Sequence, residues 1–189
     1  MKLVRLNNKT PSPYLRKHWK QLLPAFCGPE DCRVVDLGCG NGRNSRFLKS
    51  KRFNYPLFVD FYSLDVDPKQ YSEAQACRLG KDKLPVHTDR IQVFLANYLF
   101  MFLNGKGRRK LIWQIKRLAE EDSRIMVELY ASKNSYATTP EDIANLQREL
   151  IAELNWNIIH EGAGRFIASK SIGQEGQRVI GQYPELAYK

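Results

Sequence analysis

The segment Asp36-Leu37-Gly38-Cys39-Gly40-Asn41-Gly42 carries the clearest chemical pattern in the sequence. It follows the apolar pair Val34-Val35, which predicts a buried strand ahead of it. Glycine adopts positive φ without strain and lets a ligand contact the main chain directly, because it has no Cβ. The residues from Asn44 onward can begin a helix whose N-terminal amides point at the same position. This succession of strand, glycine turn and helix is typical of a nucleotide-binding α/β domain.

The glycine spacing and the charge of Asp36 restrict the nucleotide that could bind. A dinucleotide-binding turn has the pattern G-x-G-x-x-G and holds a pyrophosphate at the helix N-terminus. Here the glycines alternate as G-x-G-x-G, and the Asp36 carboxylate would repel a pyrophosphate. The phosphate-binding pattern G-x-x-x-x-G-K-[ST] does not occur. A ligand with an ammonium, a sulfonium and a ribose but no phosphate fits better, so we expect S-adenosylmethionine (SAM), with another nucleotide as the alternative.

A second acidic position follows the next predicted strand, residues 61–65. Asp67 is a typical helix N-cap with Pro68 at the first helical position, and Gly80 is a typical stop, so a helix is predicted between them. Ligands of open α/β sheets bind beyond the carboxyl ends of the strands. Asp65 is therefore expected beside the glycine turn, where its carboxylate can accept hydrogen bonds from both ribose hydroxyls.

The elements that position these residues follow from the apolar spacing along the chain. Strands are predicted at residues 33–37, 61–65, 91–95 and 125–129; helices from Ser12-Pro13, from Asn44, from Asp67 to Gly80, over 111–119 and from Thr139-Pro140; a loop at 104–107; and an antiparallel hairpin at 156–160 and 165–169. The stretch between Gly80 and Arg90 contains no convincing strand, so the third strand is expected to be degenerate. Alternating β and α units that end in a hairpin predict a mainly parallel, Rossmann-like sheet with an antiparallel C-terminal end.

Polar residues after the fourth and fifth strands are candidates for binding a substrate beside the nucleotide. Asn97 and Tyr98 follow the fourth strand and could hydrogen-bond a nucleophile; an aromatic packed against the cofactor or the core is an equal interpretation of Tyr98. Glu128 and Tyr130 are more typical of strand residues that face a helix. The histidines His18, His87 and His160 lie far apart in the sequence, and we expect them at surface or loop positions.

Length and composition indicate a single globular chain. The 189 residues suffice for a substantial core, and a hydrophobic fraction of 43% argues against disorder. No run of about 18 uncharged apolar residues occurs, and the N-terminus lacks the apolar segment of a secretion signal. We therefore expect a cytoplasmic protein with no membrane partner. Cys27, Cys32, Cys39 and Cys77 show no C-x-x-C spacing, so no metal site is expected.

The net charge of +10 raises the question of a polyanionic partner. Basic residues cluster at 16–20, 43–52 and 106–110. Such clusters either line solvated helix faces or form a groove for a phosphate backbone. The sequence leaves both interpretations open.

The chain resembles the class I SAM-dependent methyltransferases, whose first motif is D-x-G-x-G-x-G behind a strand. The run Asp36-Leu37-Gly38-Cys39-Gly40-Asn41-Gly42-Arg43-Asn44-Ser45 is similar to the first motif of the tellurite-resistance methyltransferase family almost letter for letter. Met101-Phe102-Leu103, after the fourth strand, looks like a second shared feature. The general resemblance covers about residues 30 to 170, and it implies a seven-stranded sheet whose last strand is antiparallel.

The resemblance also implies roles for individual residues. Asp36 and Gly38 would hold the methionine moiety, Gly40 would let the adenosine pack closely, Asp65 would bind the ribose and Val66 would flank the adenine. The predicted cofactor-binding residues are Asp36, Gly38, Cys39, Gly40, Asn41, Gly42, Asp65, Val66 and Asn97; the predicted catalytic residues are Asn97 and Tyr98. The interval from Asp36 to Asp65 is several residues longer than the family pattern, with residues 53–60 as the apparent insertion. Asp60 is therefore a rival of Asp65 for the ribose.

These patterns predict a SAM-binding methyltransferase domain at residues 30–170, preceded by a helical leader (1–29) and followed by a tail (171–189). The expected activity is transfer of a methyl group from SAM to a small-molecule acceptor. An RNA or DNA methyltransferase that uses its basic surface is one alternative. A non-catalytic protein that binds SAM or nucleic acid is the other. The sequence assigns neither the acceptor nor the oligomeric state.

Overall fold

Seven strands and four α-helices are seen in the computed structural model, which describes residues 9–23, 32–51, 58–88 and 90–170. The predicted tail and residues 53–57 of the predicted insertion lie outside the described residues. The strands are β1 (Cys32–Leu37), β2 (Phe58–Asp65), β3 (Ala74–Ala76), β4 (Ile91–Asn97), β5 (Ala119–Glu128), β6 (Asn157–Gly162) and β7 (Arg165–Ser169). The helices are α1 (Pro13–Leu22), α2 (Arg43–Lys51), α3 (Gly105–Leu118) and α4 (Pro140–Leu154), with short 3₁₀ helices at Pro68–Gln70 and Phe100–Phe102.

The strands form one sheet in the order β3-β2-β1-β4-β5-β7-β6. Strands β1 to β5 pair in parallel, while β7 runs antiparallel to both β5 and β6. The predicted fold class, a mainly parallel Rossmann-like sheet with an antiparallel C-terminal hairpin, is confirmed. The order reverses between β1 and β4, so the carboxyl ends of these two neighbouring strands flank the crevice in which α/β sheets bind ligands.

The third strand is present, and the helix predicted from Asp67 to Gly80 is wrong. Asp67 does cap a helix, but only the 3₁₀ turn Pro68–Gln70 forms before the chain enters β3. The stretch from Pro68 to Ala76 offers one buried apolar side chain, Tyr71. A helix there would have no apolar stripe to pack against the sheet. The short polar segment instead pairs with the edge of β2.

The loop predicted at 104–107 is also wrong, because α3 begins at Gly105. The Asn104 side chain accepts a hydrogen bond from the Gly107 amide at 2.8 Å and caps the helix. Gly107 is buried there against Gly80: a Cβ on Gly80 would lie 2.8 Å from the Gly107 carbonyl oxygen. The two glycines therefore permit close contact of the start of α3 with the segment that follows β3.

Apolar side chains form one core on each face of the sheet. Leu15 and Leu22 of α1 and Leu48 of α2 pack with Val34 and Val93 on one face. The apolar stripes of α3 and α4 cover the other face, where Val35, Phe94 and Phe166 are buried among the following helix residues: Leu111, Ile112, Ile115, Leu118, Ile143, Leu146, Leu150 and Leu154. The alternation of Val34 and Val35 between the two cores shows that β1 is buried on both sides. In the part of the chain that the structure describes, no helix has the length and apolarity needed to cross a membrane.

Candidate cofactor and acceptor site

A cavity of about 830 Å³ lies beyond the carboxyl ends of β1, β2 and β4. Its volume is in the range of about 300–1,000 Å³ that is usual for small-molecule sites. The predicted site residues that line it are Gly38, Cys39, Gly40, Asn41, Asp65, Val66, Asn97 and Tyr98. Asp36 and Gly42 do not line it. The structure thus brings together the residues that follow three separate strands.

The glycine turn is fixed against the end of β2. The amides of Gly38 and Cys39 donate to the Leu64 carbonyl oxygen at 2.8 and 3.0 Å, and the Gly40 amide donates to Oδ2 of Asp65 at 2.8 Å. Gly40 has a φ of +54°, and a Cβ built on it would meet no atom within 4 Å. The main chain at Gly40 therefore borders open space, which suits a ligand that packs directly on the backbone.

Among the described residues that line the cavity, Asp65 is the only one with an acidic side chain. It is only 8% exposed, and its Oδ1 accepts from the Asp67 amide at 2.9 Å. Each carboxylate oxygen has two acceptor sites, so two amide contacts leave room for two further donors. The carboxylate can therefore support the glycine turn and still accept from ligand hydroxyls.

Asp60 lies at the other end of β2. Its Cα is paired with Arg33 near the start of β1, while Asp65 is the last residue of the strand. The two Cα atoms, five residues apart in the strand, are separated by roughly 16 Å at the usual rise per residue. The backbone therefore places Asp60 at the amino end of the sheet, away from the cavity, and this does not support its alternative role.

Gly42 makes room for a tyrosine ring rather than for a ligand. Its φ is +71°, and a Cβ on it would lie 2.5 Å from the ring of Tyr71. The first motif therefore uses Gly40 and Gly42 differently. Gly40 borders the cavity, and Gly42 allows Tyr71 to pack against the turn.

Asp36 supports the glycine turn from the side that faces away from the cavity. The side chain is 2% exposed, and its Oδ2 accepts from the Ser45 hydroxyl at 2.5 Å. The Ser45 hydroxyl also lies 3.0 Å from that of Ser63, so the group joins β1, α2 and β2. Burial raises the pKa of Asp36 to about 6, although the Ser45 hydrogen bond acts in the opposite direction. The carboxylate is therefore a support of the cavity wall.

Glu128, at the end of β5, accepts hydrogen bonds from three side chains outside its own strand. The Tyr98 hydroxyl donates to its Oε2 at 3.1 Å, and its Oε1 accepts from both the Asn97 amide nitrogen and the Ser12 hydroxyl. Glu128 is only 5% exposed. The interpretation of this residue as a strand side chain that merely faces a helix missed its role. Ser12 was recognised as a helix cap, but no local pattern links it to a residue 116 positions away.

Tyr98 has a constrained backbone and a phenol that remains protonated. Its φ of +60° is unusual for a bulky residue and costs of order 1–3 kcal/mol, which is typical of positions that a functional site fixes. Burial, followed by the charge of Glu128 and the hydrogen bond to it, raises the pKa of Tyr98. The Arg43 guanidinium lies over its ring at 5.6 Å and the Tyr130 ring meets it edge-on at 5.2 Å. Tyr98 can therefore donate a hydrogen bond but is not a base at neutral pH.

Asn97 presents an acceptor with no protein donor. Its Oδ1 is buried and has no hydrogen-bond partner among the described residues, while its Nδ2 is held by Glu128. A buried polar atom without a partner is costly unless a ligand or water supplies one. Since Asn97 lines the cavity, a ligand donor such as an ammonium fits this position.

Neither a metal site nor an activated thiol is evident among the described residues. No group of three or more His, Cys, Asp or Glu side chains there could hold a metal ion. Cys32, Cys39 and Cys77 are buried free thiols; burial raises the pKa of Cys77 to about 11 and raises that of Cys39 as well. Such thiols are poor nucleophiles.

Two histidines that the sequence suggested were isolated are in contact. The ring centroids of His18 and His160 lie 4.0 Å apart, and the Tyr14 hydroxyl lies 2.9 Å from Nδ1 of His160. This group joins α1 to β6 and does not line the cavity. The expectation of separate surface positions is therefore wrong for these two residues.

Comparison with known proteins identifies a family and a shared fold. The model of the family described as "Tellurite resistance protein TehB" matches residues 21–150. No curated protein matches the chain.

Solved structures of the same fold are similar at low sequence identity. A SAM-dependent methyltransferase from Methanosarcina mazei is 13% identical with a TM-score of 0.57, over 85% of this chain and 98% of that one. TehB from Haemophilus influenzae is 15% identical with a TM-score of 0.59, over 88% of this chain and 64% of that one, so this chain spans about two thirds of its length. A 1,6-didemethyltoxoflavin-N1-methyltransferase from Burkholderia thailandensis, solved with bound 1,6-didemethyltoxoflavin and S-adenosylhomocysteine, is 16% identical with a TM-score of 0.52, over 83% of this chain and 82% of that one.

Proposed function

The chain belongs to the tellurite resistance protein TehB family, and from this membership and the geometry of the cavity we propose that it is a SAM-dependent methyltransferase acting on a small molecule. The observation that carries the proposal is the pair Gly40 and Asp65. A backbone surface without a Cβ and a buried carboxylate, joined by a 2.8 Å hydrogen bond, stand side by side on the wall of one cavity. An adenosine needs this combination: an open surface to pack on and an acceptor for its ribose hydroxyls.

The other lining residues fit the remaining parts of SAM. Val66, 48% exposed beside Asp65, offers an apolar surface to the adenine. The unpartnered Oδ1 of Asn97 suits the methionine ammonium, and Arg43 is a cation of the wall that suits its carboxylate. Gly38, Cys39 and Asn41 complete the turn around the methionine. Asp36 and Gly42 support the turn from outside the cavity.

Bound SAM supplies a methyl group on a sulfonium, which is already activated for transfer. The protein then has to orient an acceptor, and alignment alone can contribute roughly 7–11 kcal/mol. Tyr98 and Asn97, both hydrogen-bonded to Glu128, are the residues that we propose orient the acceptor. Because the Tyr98 phenol stays protonated and its one hydrogen is donated to Glu128, it acts by accepting a hydrogen bond from the acceptor and by its ring. No dedicated base is required by this mechanism.

A small acceptor is supported by the volume of the cavity and by solved structures of the same fold. The Burkholderia enzyme is by name a 1,6-didemethyltoxoflavin-N1-methyltransferase, and a similar structure is a geranyl diphosphate methyltransferase. The described wall carries the cations Arg43, Arg78, Lys81, Lys106 and Lys110 against the single carboxylate of Asp65. An acceptor of low or negative charge suits this balance. Tellurite, the compound in the family description, is the first acceptor to assay.

Calorimetry with SAM and S-adenosylhomocysteine tests the proposal. We expect both to bind the wild type, and Asp65→Ala to weaken SAM by about 1–3 kcal/mol, roughly 5- to 150-fold, the cost of leaving buried groups unpaired. Asp67→Asn is the matched control, because Asp67 caps the 3₁₀ helix two residues away and does not line the cavity. It should leave the affinity within about twofold of the wild type.

Transfer of a labelled methyl group to tellurite and to small-molecule pools then tests the activity. Absence of SAM binding by folded protein would contradict the whole proposal. Binding without transfer to any small molecule or nucleic acid would favour a non-catalytic SAM-binding protein. Transfer to RNA or DNA alone would replace the small acceptor with a nucleic acid.

A further inference from the structure

The exposed side of α3 carries five cations around one tryptophan. Six exposed residues, which we call the α3 surface, are Lys106, Arg109, Lys110, Trp113, Lys116 and Arg117. Their spacings of three and four place them on one side of the helix, and the set extends over roughly 16 Å at the usual helical rise. The helix contains no acidic residue. Its apolar residues face the opposite way, into the core.

In the part of the chain that the structure describes, no residue of the α3 surface forms an ion pair with a carboxylate, although the charge of Lys110 lowers the pKa of Asp82. The nearby acids are engaged by other residues: Asp82 pairs with Arg78 at 2.8 Å, and Glu149 pairs with Arg108 at 2.9 Å. The amines of Lys110 and Lys116 donate to backbone carbonyl oxygens, those of Lys81 and Glu153. Like charges at these spacings repel one another. An external polyanion would relieve that repulsion.

Trp113 indicates which polyanion fits. Its side chain is 63% exposed, and the Arg117 guanidinium lies 5.6 Å from its ring centroid. An exposed indole among cations is suited to stack on an unpaired base while neighbouring amines contact phosphates. An anionic membrane would also attract the cations, but an interfacial helix needs a broad apolar face toward the lipid. Trp113 is the exposed large apolar residue of α3, so a single-stranded nucleic acid fits better.

The α3 surface is continuous with the cavity, because Lys106 and Lys110 belong to both. We propose that this surface binds a single-stranded nucleic acid, with phosphates on its lysines and arginines and a base on Trp113. The inference does not depend on the proposed function, since it concerns binding in the absence of any methyl donor.

Fluorescence anisotropy with a labelled 20-nucleotide oligouridine, between 50 and 300 mM salt and without SAM, tests the proposal. The triple variant Arg109→Gln, Lys110→Gln, Lys116→Gln should lower the salt dependence. At about 0.7 of log–log slope per phosphate contact of a single strand, three lost contacts reduce the slope by about 2. Trp113→Ala should weaken binding by roughly 5- to 150-fold and leave the slope unchanged, since stacking is not ionic.

The matched control removes the same charge from exposed positions of another helix: Arg16→Gln, Lys17→Gln, Lys20→Gln in α1. It should keep most of the slope. Equal losses in the two triple variants would show attraction by net charge alone and overturn the proposal. No binding by folded wild type at 50 mM salt would do so too, as would a preference for duplex RNA or for phosphatidylserine vesicles over the oligonucleotide. None of these results bears on SAM binding, which is measured separately.

Discussion

The hydroxyl of Ser12, which caps the first helix, donates a hydrogen bond to the carboxylate of Glu128 at the carboxyl end of β5. The Ser12 amide also donates to Oδ1 of Asn44 at 3.0 Å, and Asn44 lines the cavity. The start of α1 is therefore bound to two parts of the site. It also shares the Glu128 oxygen that accepts from Asn97. The N-terminal helix is a component of the site.

Ser12→Ala should reduce stability and methyl transfer together. The change removes the helix cap and one donor to a buried carboxylate, so the free energy of unfolding should fall by about 1–3 kcal/mol. Thr139→Ala is the matched control, because the exposed Thr139 caps α4 through a capping box with Asp142, and neither residue lines the cavity. Urea denaturation should show a loss of about 1 kcal/mol for the control, with unchanged kcat/KM under conditions in which it is folded. Equal kcat/KM in both variants would confine Ser12 to a capping role.

Gly40→Ala and Gly42→Ala should separate ligand contact from packing. Both place alanine at positive φ, which costs about 1 kcal/mol. At Gly40 the new methyl group meets no protein atom within 4 Å, so the further effect should be weaker SAM binding, by about tenfold or more. At Gly42 it would meet the Tyr71 ring at 2.5 Å, so the further loss should be about 1–3 kcal/mol of stability. Calorimetry and thermal unfolding of both variants check the contrast.

Local signals were sufficient for the elements with strong periodicity. The start signal Thr139-Pro140 and the apolar spacing after it predicted α4, which the structure confirms at Pro140–Leu154. The structure adds a capping box between Thr139 and Asp142. The glycine motif likewise predicted a turn between a buried strand and a helix. Glycines that permit positive φ directly follow apolar strand residues in the sequence, so both signals are local. Asp65 was placed at the end of β2 by the same kind of local pattern.

The parts that the sequence did not predict depend on distant partners. The strand β3 has three residues, and it pairs with β2 although its own sequence has little strand character. Glu128 gains its role from Ser12, Asn97 and Tyr98, which belong to other elements. The contact of His18 with His160 likewise exists only because α1 lies beside β6. Such contacts come from the tertiary arrangement and leave no local pattern.

The contact between His18 and His160 should make the packing of α1 against β6 sensitive to acid. Partial burial, the neighbouring His18 and the cations Lys17 and Arg165 lower the pKa of His160, and the Tyr14 hydroxyl is its hydrogen-bond partner. A base with a lowered pKa in the folded state stabilises the fold only while it is neutral, so stability should fall as the pH decreases through about 6.5 and below. His160→Gln should remove part of this decrease. Urea denaturation between pH 5 and 8 measures it, and parallel curves for variant and wild type would contradict the prediction.

The buried carboxylate of Asp36 should act in the opposite direction. Its pKa rises to about 6 in the folded protein from 3.8, so the folded state binds the proton more tightly than the unfolded chain. The protonated form is then the stable one, and the contribution is full below about pH 4 and is lost as the pH rises through 6. A shift of about two units corresponds to about 3 kcal/mol. Asp36→Asn imitates the protonated acid and can still accept from Ser45, so its stability relative to the wild type should rise by up to that amount between pH 4 and pH 7. Urea denaturation at both pH values decides this, because a pH-independent difference would mean that Asp36 is ionised in the folded state throughout that range.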